Sequence, residues 1–253
     1  MGRLWYLIRE YFFPRGCGIC GASLFTKNEA WYGLCNDCRK EIVIGADIRC
    51  DMCGRPLISE INQCLPCRKS AETGETAMEK PLIDKMVSVF PYTGKYKKLL
   101  GAFKYERSPG AGHFLAEKII EAIKLFPLEN NNPAPRDADL ALVPVPPRPG
   151  KIRRTGWDQI ETLSKLLAQS KDSPGIIRCL KRKASKTQKK LDRKERKTNL
   201  IGRITARRSP LRVPSICILF DDVITTGSTM NACARALKQA GAEKVFGICL
   251  FYD

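Results

Sequence analysis

The sequence has no apolar run long enough to cross a membrane and no stretch typical of an export signal. Its first residues, MGRLWYLIREYFFPRG, place apolar side chains at the spacing of one helix face, but Arg3, Arg9 and Glu10 interrupt that face and no small-residue cleavage site follows. We therefore expect a soluble, cytoplasmic protein without a transmembrane segment. The stretch itself predicts a short amphipathic helix that docks on the protein, with weak contact to a membrane surface as the alternative.

Histidine and acidic residues are both scarce. The single histidine, His113, has no partner residue that would suggest catalysis, and its surroundings predict the start of a helix. No Gly-Lys-Ser/Thr sequence occurs, which excludes a Walker-type phosphate loop. Only 26 acidic residues stand against 44 basic ones, giving a formal net charge of +18. This charge predicts attraction to nucleic acid, phosphorylated metabolites or anionic lipid, without choosing among them.

Cysteine, in contrast, is abundant and regularly spaced. Eight of the twelve cysteines form four Cys-x-x-Cys pairs, CGIC, CNDC, CDMC and CLPC. Two such pairs complete one tetrahedral zinc site, whereas disulfides would need an export signal and a redox Cys-x-x-Cys would not occur fourfold. The sequence therefore predicts two structural zinc ions. If neighbouring pairs share a metal, which spacing alone leaves open, the ligands are Cys17, Cys20, Cys35 and Cys38 at one site and Cys50, Cys53, Cys64 and Cys67 at the other.

The rest of the chain alternates between strand and helix patterns. A polar segment at Arg68–Asp84 lacks apolar periodicity and predicts a boundary between a module at residues 1–70 and a domain at residues 84–253. Alternating strands and helices indicate an α/β domain with a mostly parallel central sheet. The predicted strands are MVSVFPY, LALVPVP, GIIRCL, ICILF and KVFGICLFY, and the predicted helices are GHFLAEKIIEAIKLF, QIETLSKLLAQS and NACARALKQAG.

The stretch ICILFDDVITTGSTM combines a buried strand, two carboxylates and a turn rich in hydroxyls. We expect the strand to end at Phe220, so that Asp221 and Asp222 lie just beyond it, where ligands bind in parallel sheets. The following amides, hydroxyls and helix N-terminus suit a phosphate, and the carboxylates can accept hydrogen bonds from the vicinal hydroxyls of a sugar. The stretch therefore predicts a ribose 5-phosphate site. A simple strand-to-helix turn is the structural alternative; a glycosidase pair is disfavoured because consecutive strand residues point to opposite faces.

At this point the chain resembles a known family. ILFDDVITTGST is similar to the phosphoribosyl-pyrophosphate (PRPP) signature of type I phosphoribosyltransferases. The eight-cysteine ribbon, VPVPPRPGKIRRTGWDQ and TQKKLDRKERKTN resemble the ComF competence-protein branch of that fold, over nearly the whole chain. The resemblance implies a type I phosphoribosyltransferase fold preceded by a small N-terminal double zinc-ribbon module. It also implies that PRPP binds with Mg²⁺.

The resemblance carries functional roles to particular residues. It places the ribose hydroxyls at Asp221 and Asp222. It places the 5-phosphate at the turn formed by Thr225, Thr226, Gly227, Ser228 and Thr229. It places the pyrophosphate at the turn formed by Val145, Pro146, Pro147 and Arg148. The family's Arg-Gly-Phe-Asn-Gln reads Thr155, Gly156, Trp157, Asp158 and Gln159 here, a departure for which Arg153 or Arg154 can substitute. A second motif is matched by Gln188, Leu191, Arg196 and Asn199. The candidates for catalysis are Lys104, Arg154, Gln159 and Arg196.

A basic segment separates two possible functions. Leu180–Lys197 contains ten lysines or arginines and only two acidic residues. It can be a solvated loop, a hood that closes over pyrophosphate, or a contact to single-stranded DNA. The first function is therefore a phosphoribosyltransferase with an unknown acceptor. The second is a DNA-handling protein that keeps the fold as a PRPP-binding module, in keeping with the association of ComF-type proteins with natural transformation and the competence machinery.

Overall fold

A computed structural model describes residues 16–45, 48–57, 62–72, 82–128, 139–183, 202–207 and 213–253. The predicted N-terminal amphipathic helix lies outside the described residues. So does most of the predicted basic loop, including Gln188, Leu191 and Arg196, and so does Asn199, which follows it. None of the helices in the described part of the chain is long and apolar enough to span a membrane.

In its described residues, the N-terminal part consists of cysteine knuckles and three short helices. The helices are α1 (Lys27–Tyr32), α2 (Asn36–Lys40) and α3 (Leu65–Glu72). Helix α1 begins with a capping box, in which the Thr26 hydroxyl accepts from the Glu29 amide while the Glu29 carboxylate accepts from the Thr26 amide. It ends at Gly33, whose left-handed φ of 62° is a conformation that favours glycine.

The C-terminal part is an α/β domain around a four-stranded parallel sheet. Its strands are β1 (Lys85–Pro91), β2 (Leu140–Pro144), β5 (Ile216–Ile224) and β6 (Lys244–Tyr252), in the order β1-β6-β5-β2. The main helices are α4 (Gly94–Lys104), α5 (Pro109–Ile123), α7 (Gln159–Ala168) and α8 (Ser228–Gln239), with a shorter α6 at Lys151–Thr155. The sheet and its helices confirm the predicted α/β class.

Two strand predictions are corrected by the structure. The predicted strand at residues 175–180 contributes only a single parallel bridge between Ile176 and Leu142. The chain then forms β3 (Leu180–Arg182), which pairs antiparallel with β4 (Ile204–Ala206) away from the main sheet. Strand β5 does not end at Phe220 but continues to Ile224, because β6 is long enough to pair with it to that point.

The ribbon module and the α/β domain share their cores. Cys17, Ile19, Leu34 and Ile42 of the ribbon belong to the same buried cluster as the sheet and helices α4 and α5. A second cluster joins Cys50, Cys53 and Cys64 to Met86, Val245 and helix α8. The predicted division into residues 1–70 and 84–253 stays a prediction, and the packing across it is continuous.

Two close backbone approaches fix this packing. A Cβ atom on Gly110 of α5 would overlap the Gly33 amide nitrogen, so the two backbones touch where α1 ends. At the outer edge of β1, the Ser88 amide donates to the Gly54 carbonyl at 2.9 Å. The guanidinium of Arg49 donates to both the Ser88 and Gly54 carbonyls. The part of the ribbon module around Cys50 and Cys53 therefore covers the edge of the sheet that β1 would otherwise expose.

Candidate functional site

The predicted phosphate turn joins the end of β5 to the start of α8. Gly227 is the N-cap of α8 with a left-handed φ of 69°. The backbone amide of Asn231 donates to the Gly227 carbonyl at 2.9 Å. The hydroxyls of Thr226 and Ser228 lie 2.9 Å apart, and both side chains are partly exposed. Because glycine has no side chain to cap the first amides of α8, this helix terminus is open to an anion. The turn from Thr225 to Thr229 thus fits a phosphate group.

The acidic pair lies within β5 rather than beyond it, and the neighbouring strand explains its access to a ligand. Strand β2 ends at Pro144, opposite Phe220, and the last bond of this ladder is donated by the Val145 amide to the Phe220 carbonyl at 3.1 Å. Pro146 and Pro147 have no amide proton with which to continue the ladder. Among the described residues, β5 is therefore paired only with β6 past Phe220, which leaves the side of β5 next to the two carboxylates without a strand partner.

The two carboxylates have different surroundings. Asp221 is in register with Cys249 of β6, and its carboxylate accepts from the Asp222 amide at 2.8 Å. Burial raises the pKa of Asp221 well above its usual value, and repulsion from the Asp222 carboxylate raises it further. A nearby cation or hydrogen-bond donor would stabilise the ionised form of Asp221. This is the electrostatic preference expected at a site for Mg²⁺ and sugar hydroxyls.

Gln159 links helix α7 to the acidic pair. Its side-chain amide donates to the Asp222 carboxylate at 3.1 Å, and its carbonyl oxygen accepts a hydrogen bond from the Lys151 ammonium. Lys151 also pairs with Asp158 at 2.6 Å, while Asp158 caps α7 by accepting from the Glu161 amide at 3.0 Å. Asp158, where the family pattern has asparagine, is thus the buried partner of a lysine. Lys151 was not predicted as a site residue, although its place in the basic run GKIRR was a usable signal.

The other predicted residues in the described part of the chain lie at the end of β2, in the turn that follows it, and on helices α4 and α6. Val145 and Pro146 are buried at the end of β2, and Arg148 is exposed in the turn that follows. Lys104 lies at the end of α4 with its ammonium 5.9 Å from the centroid of the Tyr105 ring. Arg154 is exposed on α6. Within the described residues, no hydrogen bond or ion pair joins Lys104 or Arg154 to the acidic pair.

Arg182 on β3 is a further cation near the site. Burial lowers the pKa of Arg182, and the positive charge of Arg148 lowers it further, while the negative charge of Asp221 acts in the opposite direction. The guanidinium therefore lies in the electrostatic field of both Arg148, in the turn after β2, and Asp221 of the acidic pair. It belongs to the segment predicted as a basic loop, but the antiparallel pairing that holds it was not predicted.

The eight knuckle cysteines form two separate clusters. The first joins Cys17, Cys20, Cys35 and Cys38, the second joins Cys50, Cys53, Cys64 and Cys67, and the sulfur atoms of each lie within 4.8 Å of one another. The Sγ–Sγ separations of 3.7 Å, Cys20 to Cys35 and Cys53 to Cys64, are close to the ~3.8 Å edge of a tetrahedron with Zn–S bonds of ~2.3 Å. Neighbouring pairs thus lie together, and both clusters fit structural zinc.

A zinc-ribbon module joined to a phosphoribosyltransferase-type α/β domain is the class of protein that these features define. Sequence comparison agrees, since the Double zinc ribbon domain family matches residues 8–74 and the Phosphoribosyl transferase domain family matches residues 165–253. The chain is 30% identical to Competence protein F of Haemophilus influenzae over 237 residues, 92% of this chain and 95% of that protein. It belongs to the competence protein F (ComF) family.

Other relatives cover a similar share of the chain. The DNA utilization protein YhgH of Salmonella typhi is 28% identical over 228 residues, 86% of this chain and 96% of that protein. Competence protein ComFC of Bacillus subtilis is 27% identical over 235 residues, 89% of each. The similarity thus spans both the ribbon module and the α/β domain.

Proposed function

We propose that the chain binds PRPP with Mg²⁺ at the carboxyl ends of β5 and β2 and acts in DNA uptake. The observation that carries the proposal is the conjunction, on one open strand end, of an acidic pair and an uncapped helix N-terminus. The printed names of the relatives refer to competence and to DNA utilization, which supports the cellular role.

Each part of PRPP has a suitable partner in this arrangement. Asp221 and Asp222 accept hydrogen bonds from the ribose hydroxyls, and Gln159 keeps the Asp222 carboxylate in place. The turn Thr225–Thr229 holds the 5-phosphate through its amides and hydroxyls. Arg148 and Arg182 face the pyrophosphate. When bound, Mg²⁺ neutralises part of the pyrophosphate charge and so assists its departure. The eight knuckle cysteines hold two structural zinc ions apart from this site.

Calorimetry with Mg²⁺ and PRPP tests the proposal. The wild-type protein should bind, and the double substitution Asp221→Asn with Asp222→Asn should abolish binding, because neutral amides lose the charge that the hydroxyls and Mg²⁺ favour. Asp172→Asn is a control at an exposed aspartate remote from β5. A thermal melt should find both variants folded. Unchanged PRPP affinity in the double variant would refute the ribose role, and its unfolding would favour the simple structural turn.

Transfer chemistry is tested separately from binding. The protein is incubated with Mg²⁺ and PRPP together with a panel of acceptors that includes single-stranded DNA, and pyrophosphate is assayed. Release that depends on one acceptor identifies an enzyme and its acceptor class. Absence of release with every acceptor, alongside measurable PRPP binding, supports a binding module instead.

A second candidate function, single-stranded DNA binding, is favoured by an exposed aromatic and basic surface next to the site. Tyr105 is 73% exposed, and the Arg107 guanidinium lies 5.8 Å from the centroid of the Trp157 ring. Arg107 also donates to the Thr155 carbonyl at 3.0 Å, which joins the end of α4 to the exposed arginines of α6. Exposed aromatic rings between cations are the usual platform for unpaired bases and their phosphates.

Salt-dependent binding separates this candidate from a catalytic hood. Tyr105→Ala should weaken single-stranded DNA binding by about tenfold, since stacking contributes roughly 1–3 kcal/mol per base. Replacing Lys189, Lys190, Lys194 and Lys197 with alanine should flatten the salt dependence if the basic loop contacts DNA, and should reduce only pyrophosphate release if it covers the site. An unaltered affinity, salt slope and turnover would contradict both roles.

A further inference from the structure

Arg55, which follows the third cysteine knuckle, contacts both the second zinc cluster and the end of the sheet. Its Nε donates to the Cys53 sulfur at 3.3 Å, and its Nη2 donates to the backbone carbonyl of Asp253 at 2.6 Å. The guanidinium also lies over the Tyr252 ring, 5.0 Å from the centroid. One half-buried side chain thus spans the ribbon module and the C-terminal end of β6.

The contact continues from β6 to the phosphate turn. The Asp253 amide donates to the Ile224 carbonyl at 3.2 Å, and Tyr252 is in register with Ile224 on β5. Ile224 is the last residue of β5 and directly precedes the turn Thr225–Thr229. Three hydrogen bonds therefore connect a zinc-cluster sulfur to the strand end from which the phosphate turn begins.

A second row of contacts crosses the sheet from the same cluster. The Ser88 hydroxyl donates to the Cys53 carbonyl at 2.5 Å. Ser88 of β1 is in register with Cys249 of β6, and Cys249 is in turn in register with Asp221 on β5. The backbone of the knuckle is thus linked through β1 and β6 to the register position of Asp221, as well as through Arg55 to the turn.

The guanidinium group is suited to this role in a way that lysine is not. Its planar fork holds donors in fixed directions and can bind a thiolate and a carbonyl at the same time. Groups that donate to metal-bound ligands orient those ligands, and their loss weakens metal binding. A lysine in the same place would offer all its donors from one nitrogen atom, which does not reproduce the two separate donor positions, Nε and Nη2, that Arg55 uses.

We propose that Arg55 is a positioning residue that couples the second zinc cluster to the phosphate turn. The inference deepens the proposed function, on which it rests for the identity of the ligand. Because coupling between two binding sites is reciprocal, zinc in the second cluster strengthens PRPP binding, and PRPP strengthens zinc binding there. The first zinc cluster, which lies against α5, has no part in this coupling.

Hydrogen exchange on the full-length, zinc-loaded chain tests the coupling without any PRPP. Arg55→Gln should speed exchange of the Asp253 and Asn231 amides by about tenfold, the size expected for loss of one charge-assisted hydrogen bond. Arg39→Gln is the matched control, because Arg39 lies 4.4 Å from the Tyr32 ring centroid beside the first cluster. It should leave those two amides unchanged. Equal exchange rates in Arg55→Gln and the wild type would overturn the proposal.

Zinc content and PRPP affinity complete the test. Arg55→Gln and Arg55→Lys should both retain two zinc ions and should both bind Mg²⁺-PRPP about tenfold more weakly than the wild type, the loss expected for one charge-assisted hydrogen bond. Loss of the second zinc in both variants would make Arg55 a requirement for metal binding and overturn the positioning role. A wild-type protein that does not bind PRPP would refute the proposed function, while the exchange rates would still decide whether Arg55 couples the two regions.

Discussion

Asp221 is the residue whose protonation state matters most at the site. Burial and the neighbouring Asp222 carboxylate raise the pKa of Asp221, so the folded protein holds a proton that the unfolded chain releases at lower pH. The stabilisation from this proton is complete below the ordinary aspartate pKa of about 3.9 and is lost as pH rises through the raised folded value. At neutral pH, the ligand-free protein is therefore less stable with Asp221 than it would be with a neutral side chain at this position.

Asp221→Asn should accordingly raise the melting temperature of the ligand-free protein at pH 7. The difference from the wild type should shrink as the pH falls towards 4, since both side chains are then neutral. Thermal melts across this pH range measure the effect, with Asp172→Asn as the control. A variant that melts below the wild type at pH 7 would contradict the raised pKa.

The affinity for Mg²⁺-PRPP should change with pH in the opposite sense. Ionised Asp221 accepts hydrogen bonds and attracts cations better than the protonated acid, so wild-type affinity should increase as pH rises through the raised pKa. Calorimetry at several pH values measures this increase. Because PRPP itself titrates, the comparison is with Asp221→Asn, whose affinity is weaker and should rise less over the same range.

At the scale of elements, the contact between α1 and α5 depends on glycine. A Cβ atom on Gly110 would collide with the Gly33 backbone, whereas a Cβ atom on Gly101 of α4 would have nothing within 4 Å. Both glycines lie in helices, Gly110 in the first turn of α5 and Gly101 in the interior of α4, and they differ sharply in the space available for a Cβ atom.

Gly110→Ala should destabilise the protein by about 2 kcal/mol or more, because overpacking must push α1 away from α5. Gly101→Ala should be neutral or should stabilise the protein by up to about 1 kcal/mol, the usual difference between glycine and alanine in a helix. Denaturant unfolding of the two variants measures the difference. Equal stabilities would mean that the ribbon does not pack against α5 as described.

The elements differ in how far the sequence predicted them. Strands β1, β2, β5 and β6 and helices α5, α7 and α8 have apolar patterns that predict them within a few residues. Helix α4 was missed because lysines and glycines interrupt its sequence, GKYKKLLGAFK, and it buries only a short apolar set. The pairing of β3 with β4 is formed by short segments far apart in sequence, for which periodicity carries no signal.

The sequence pointed to the residues of the candidate site but not to their arrangement. The acidic pair and the turn could be read from their order along the chain, but the length of β6, which extends β5 past Phe220, is a property of pairing. Lys151 and Arg182 lie in basic segments of the sequence, but their contacts could not be read from those segments. Arg55 acts through a contact with Asp253, which is distant in sequence, so no local pattern marks it. The roles of the candidates Lys104, Arg154, Gln159 and Arg196 stay predictions.

For the whole molecule, the shared cores make zinc part of global stability. The first buried cluster includes Cys17 with residues of the sheet, and the second includes Cys50, Cys53 and Cys64 with residues of α8. Loss of a metal therefore disturbs the packing of the α/β domain as well as that of the ribbon module. Small zinc modules have little core of their own, so the ribbon module also depends on the α/β domain for its stability.

Elemental analysis should find two zinc ions per chain, and Cys17→Ser or Cys50→Ser should lower the melting temperature of the whole protein. Unfolding should remain a single transition when followed by probes in both parts, because the two parts share cores. Chelation should lower that same transition. Two separate transitions, with the upper one insensitive to chelator, would contradict the shared core.

The touching backbones of Gly33 and Gly110 also limit how this protein can be recombined with its relatives. A chimera that takes its ribbon module from a homologue about 30% identical would join two surfaces that were shaped separately. If the donor carries a side chain where this chain has Gly33, or the acceptor carries one where it has Gly110, atoms of the two parts would crowd each other where α1 meets α5. This crowding would arise even though each part fits its original partner. Grafting experiments should therefore keep glycine at both positions.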